Sequence, residues 1–112
     1  MTRERIEHCF AARKAEGRTV LIAYLTIGDP SVEESVACAR AALGAGADVI
    51  ELGVPFSDPT ADGPVIAQAS YRAIHQGGSL KAALRAAREI RAESAAPLVL
   101  FTYYNPICAF GE

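Results

Sequence analysis

Three carboxylates in the middle of this sequence are the residues whose type and spacing can do chemistry. Glu51 interrupts an otherwise apolar run, Val49 to Val54, and Asp58 and Asp62 follow in a stretch stiffened by Pro55, Pro59 and Pro64 and freed at Gly63. Successive side chains on a strand point to opposite faces, so Ile50, Leu52 and Val54 form one aliphatic set, and Val49, Glu51 and Gly53 the other. This predicts a carboxylate on the inner face, toward the C-terminal end of a buried strand. Such a group needs a proton, a partner or hydrogen bonds, and burial raises its pKa, which is how a general acid/base working near neutral pH is made. The plain alternatives are a strand-edge glutamate or half of a buried ion pair. For each aspartate the plain alternative is an Asx-turn or a helix cap. A loop leaving the strand just after Glu51 can fold back, however, and set an aspartate opposite it for paired acid/base work.

Parity also supplies a pocket. If Tyr24 faces inward, so do Ile22 and Thr26, while Phe101, Tyr103 and Asn105 share one face of a later strand. Together they predict an aromatic, apolar cavity near Glu51, suited to a flat aromatic ligand. An aromatic core layer has the same spacing.

The elements that must position these residues follow from periodicity and punctuation. Residues 3–16 read as a short amphipathic helix closed at Gly17, and 19–27 as a strand buried on both faces, ended by Gly28, Asp29 and Pro30. Ser31 and Glu34 form a capping box for a helix over 31–43, stopped by Gly44 and Gly46. A second strand spans 48–54. Helices follow over 65–75 and, capped by Ser79, over 80–93, with a third strand at 98–104 that Asn105 and Pro106 end. The order of a leading helix, then strand and helix alternating to a third strand, makes residues 1–112 one α/β unit around a parallel sheet. Three strands fit an open doubly wound sheet or part of a barrel. A full barrel of this type needs about 250 residues, so 112 residues would supply under half of one.

Composition narrows the partners. A formal charge of −2, with both signs scattered, offers no basic stripe for nucleic acid and no cationic patch for lipid. No run is long enough to span a bilayer, and the N-terminus lacks a signal-peptide core, so a cytoplasmic home is expected. Cys9, Cys38 and Cys108 have neither disulfide nor zinc spacing and read as buried packing residues, and His8 and His75 as isolated helix-surface or core-edge residues; no metal is expected.

Local strings add a resemblance. The run ELGVPFSDPTADGP, Glu51 to Pro64, closely resembles a signature segment of tryptophan synthase alpha chains. YLTIGDP, Tyr24 to Pro30, resembles that family's first strand and turn, and TYYNP, Thr102 to Pro106, the end of its third strand. The resemblance implies the N-terminal part, about three strands, of a (β/α)8 TIM barrel preceded by a short helix. It also implies a lyase of tryptophan biosynthesis, cleaving indole-3-glycerol phosphate to indole and glyceraldehyde 3-phosphate without a cofactor of its own. In that reading Glu51 shuttles protons and Asp62 meets the indole N–H, while Tyr24, Thr26, Phe101 and Tyr103 line the substrate site. Pro55, Asp58, Pro59 and Asn105 lie toward a beta subunit that carries pyridoxal phosphate, in an alpha2beta2 complex, and the loop of Asp58 and Asp62 closes in response to partner and ligand.

Two departures from the family pattern are small: Thr60 stands where leucine is frequent, and Tyr24 where phenylalanine is also common. The larger one is the missing set of later turns that hold the substrate phosphate, from which the 112-residue chain is expected to be inactive alone. Other readings are a neighbouring phosphosugar barrel enzyme, such as an indoleglycerol-phosphate synthase, or a non-catalytic half-barrel that associates with a complementary chain. The first needs a lysine-centred site, whereas Lys14 and Lys81 both fall on helices.

Overall fold

A computed structural model describes residues 2–57 and 61–111. The elements run α1 (Thr2–Ala15), β1 (Ile22–Thr26), α2 (Val32–Gly44), β2 (Val49–Gly53), α3 (Pro64–His75), α4 (Leu80–Arg91), β3 (Leu98–Phe101) and α5 (Tyr104–Phe110). The strands form one parallel sheet in the order β1-β2-β3, with Tyr24 level with Glu51 and Val99, and Thr26 level with Gly53 and Phe101.

That register makes two chemically different faces. Ile50, Leu52 and Val54 turn toward the helices and pack with Ile27, Val36, Ala39, Ala83 and Ile90 in the core. Ile22, Tyr24, Glu51, Gly53 and Phe101 occupy the other face, where Ile22 and Phe101 remain 44% and 49% exposed. Small residues let the helices approach closely: Ala82, Ala83 and Ala86 of α4 are all buried.

The helix starts follow from their caps. Ser31 Oγ accepts the Glu34 N–H at 3.1 Å, and Ser79 Oγ accepts the Ala82 N–H at 3.0 Å, each satisfying one of the donors a helix N-terminus leaves free. Proline opens α3 at a position where its missing N–H costs nothing.

Asp48, just ahead of β2, ties the N-terminal end of the sheet together. Its carboxylate accepts the Leu21 N–H at 3.0 Å and Arg13 Nη1 at 3.2 Å, fastening α1 to the strand starts. The Leu21 hydrogen bond first, and the Arg13 guanidinium with it, hold the Asp48 carboxyl below the usual carboxylate range.

Three expectations change. The third strand ends at Phe101 rather than 104, and Asn105 and Pro106 stand in the first turn of α5 instead of terminating a strand. Proline is compatible with a helix's first turn, where an N–H has no acceptor anyway. The extended parity that put Asn105 beside Phe101 and Tyr103 is therefore broken at Tyr103, the α5 N-cap residue. Cys38 and Cys108 are exposed rather than buried, and Cys9 is half-buried. His8 and His75 are exposed on α1 and α3, His75 with its ring 4.5 Å from that of Tyr71.

Candidate active site

Glu51 is half-buried at the centre of β2 rather than toward its C-terminal end, on the face turned away from α2 and α4, with Tyr24 and Val99 on either side of it. One step nearer the C-terminal end lie Thr26, Gly53 and Phe101. The Tyr24 ring meets Phe101 edge-on at 5.5 Å and 87°, and its hydroxyl accepts from Thr26 Oγ1 at 3.4 Å. Gly53 makes room for that hydroxyl, because a Cβ there would collide with the Tyr24 ring and oxygen.

The acidic loop reaches the same place. Asp62 is half-buried, and its negative charge acts on the Tyr24 hydroxyl together with that of Glu51. Burial first raises the Tyr24 pKa; the Thr26 hydrogen bond opposes this, and Asp62, Glu51 and Tyr103 raise it further. Tyr24 is thus held as a neutral hydroxyl, hydrogen-bonded to Thr26. Tyr103 anchors the loop: its oxygen accepts the Ala61 N–H at 2.8 Å, and its ring lies 5.2 Å from Phe56. Sequence spacing placed Tyr103 in the pocket but gave no sign of this tether, which joins residues 42 positions apart.

Of the expected site residues, Glu51, Tyr24, Thr26 and Phe101 share one sheet face, and Asp62 and Tyr103 belong to the loop and α5 entrance beside it. Pro55 is buried and Asn105 exposed; with Phe56, Gly78, Ser79 and Phe110 they help line a cavity of about 560 Å³ whose walls include neither Glu51 nor Tyr24. This cavity lies among the loop after β2, the start of α4 and α5, apart from the carboxylates. Asp58 and Pro59 lie outside the described residues, as does Thr60. The expected enclosed aromatic pocket is an open face in three strands, since Phe101 is half exposed. Among the described residues no group of three or more His, Cys, Asp or Glu is arranged to hold a metal ion, and no helix is long and apolar enough to cross a membrane.

Parallel strands alternating with helices define an α/β unit, which the solved structures it matches make the N-terminal part of a (β/α)8 barrel. The whole arrangement superimposes on tryptophan synthase subunit alpha from Legionella pneumophila str. Paris with a TM-score of 0.91 and 39% identity, over 96% of this chain and 41% of that one. Tryptophan synthase from M. tuberculosis in its aminoacrylate-bound form matches with a TM-score of 0.90 and 39% identity, over 96% of this chain and 43% of that one. Residues 10–112 match the family described as tryptophan synthase alpha chain, and the chain belongs to that family. The alpha chain of Solibacter usitatus is 50% identical over 107 residues, 96% of this chain and 40% of its own length. That of Xanthomonas euvesicatoria pv. vesicatoria is 54% identical over 104 residues, 92% of this chain and 39% of its own. The chain thus spans about 40% of the length of these curated relatives.

Proposed function

We propose that this chain contributes the acid/base part of a lyase site that cleaves indole-3-glycerol phosphate to indole and glyceraldehyde 3-phosphate. The observation that carries the reading is the sheet face on which half-buried Glu51 stands level with Tyr24, one step from Phe101, whose ring Tyr24 meets edge-on, so that a carboxylate adjoins an aromatic surface. Membership of the tryptophan synthase alpha chain family supports that choice of substrate.

The residue types suit the chemistry. Tyr24 and Phe101 receive the indole ring, with Thr26 and Tyr103 beside them. Glu51 delivers a proton to C3 of the ring, converting it to the indolenine, and takes the proton of the side-chain hydroxyl as the C–C bond breaks. The electron pair of that bond returns to the ring, and the carbon that bore the hydroxyl leaves as the aldehyde. Asp62 accepts the ring N–H and stabilises the positive charge that develops on nitrogen. None of these steps calls on a cofactor. The phosphate falls to parts of the relatives' length that this chain does not span.

The partner reading places Pro55 and Asn105, on the separate cavity, toward a beta subunit that carries pyridoxal phosphate and consumes indole in an alpha2beta2 assembly, with Asp58 and Pro59 assigned there by resemblance alone. A cytoplasmic location accords with this role.

The test is indole release from indole-3-glycerol phosphate by this chain, alone and mixed with a second polypeptide carrying the remainder of the Legionella pneumophila relative's barrel. Release only in the mixture is expected. A folded mixture that releases none refutes the lyase reading.

A further inference from the structure

The loop that carries Asp62 is held at its β2 end by the sheet, where the Val54 N–H bonds the Phe101 carbonyl at 2.9 Å. Its other end enters α3 through the N-cap Gly63, so where Asp62 lies, two residues ahead of the helix, follows from where α3 is seated. Apolar burial seats that helix on a narrow strip: it fully buries Ser70 and Ala73 and half-buries Ile66, Ala67 and Ala69, while Val65 and Tyr71 are 79% and 68% exposed. A helix held by so narrow a stripe is free to roll about its axis.

Two contacts near its C-terminal end remove that freedom. Arg72 Nε and Nη2 donate to Asp29 Oδ1 and Oδ2, each at 3.0 Å, a fork that fixes orientation as well as distance. Beneath it, Gly28 and Gly78 meet backbone to backbone: a Cβ on Gly28 would lie 2.8 Å from Gly78 Cα and 2.9 Å from the Ala73 oxygen. Gly28 also has φ of +109°, a conformation L side chains rarely adopt. Asp29 is itself well founded, since its N–H bonds the Thr26 carbonyl at 3.2 Å and the neighbouring Gly28 N–H bonds Ser35 Oγ at 3.2 Å.

We propose that the Asp29–Arg72 fork is a positioning pair for Asp62, setting the roll of α3 over the C-terminal end of β1 and with it the place of Asp62, two residues ahead of the helix, beside the sheet face of Glu51. The proposal rests on the reading of Asp62 as an acid/base residue. Arg72 is 56% exposed in its side chain, and pairs so exposed contribute little to global stability, so loss of the fork acts on geometry first.

In the mixture used for indole release, Arg72→Gln lowers kcat by about tenfold with KM changed less than about twofold, the signature of lost alignment rather than lost binding. Arg72→Lys, which keeps the charge and loses the fork, remains impaired, and the swap Asp29→Arg with Arg72→Asp recovers part of the rate. Combined with Asp62→Asn, Arg72→Gln slows the reaction no further, because it acts through Asp62. Multiplying losses in that combination, or full activity of Arg72→Gln, overturns the proposal. Amide hydrogen exchange on the chain alone separates the two readings: Arg72→Gln accelerates exchange in residues 65–71 whether or not the lyase reading holds, and unchanged exchange removes the fork's role even in an active mixture.

Discussion

Asp48 shows how much a single carboxylate does at the end of the sheet remote from the chemistry. Its pKa is depressed in the folded chain by the Leu21 N–H and Arg13, so it adds stability above the unfolded pKa that is lost as pH falls through the folded value. Asp48→Asn is expected to lower Tm at pH 7, with the difference from the parent closing below about pH 4, where the parent's carboxylate takes up a proton. Thermal melts between pH 3 and 7 check this, and a difference independent of pH would show that charge is not the cause. Nothing local marked Asp48 in the sequence, where it reads as the first residue of a strand; its partners are 27 and 35 positions away. Glu51 was legible for the opposite reason. One carboxylate in an aliphatic strand is conspicuous, and parity alone assigned its face. Asp29 likewise reads as turn punctuation, and only the fold brings Arg72 to it, 43 positions along the chain.

Among the elements, those set by local rules were readable and those set by distant contacts were not. The starts of α2 and α4 follow from Ser31 and Ser79, whose side chains cap as their positions predict. Ser79→Ala should therefore cost about 1 kcal/mol, or roughly 5 °C in Tm for a domain of this size, measured by circular dichroism. A change within error would mean that tertiary packing, not the cap, fixes the start of α4. The end of β3 is not legible locally, because Thr102, Tyr103 and Tyr104 are good strand residues by composition, while Asn105 and Pro106 fit equally a strand stop and a helix's first turn. The tether from Tyr103 to Ala61 and the packing of Ile107 against the core favour the helix, and neither is a local signal.

At the scale of the whole molecule, the uncovered inner face accounts for both the open pocket and the expected dependence on further barrel strands. Ile22 and Phe101 are half exposed beside a half-buried Glu51, so in the proposed site the two carboxylates would reach full effect only once complementary strands exclude water and complete the substrate's enclosure. The parallel α/β class was readable from the alternation of elements, and the barrel from the resemblance; the openness of the face follows from strand count. The most direct measurement is single-turnover indole release by the completed mixture with Glu51→Gln and Asp62→Asn side by side, each checked for unchanged association with the complementary polypeptide. The expected result is a loss of at least about 100-fold for each variant, the size of effect that general acid/base and electrostatic groups supply. If both variants associate normally and release indole at the parent rate, the carboxylates of this chain do not carry the chemistry.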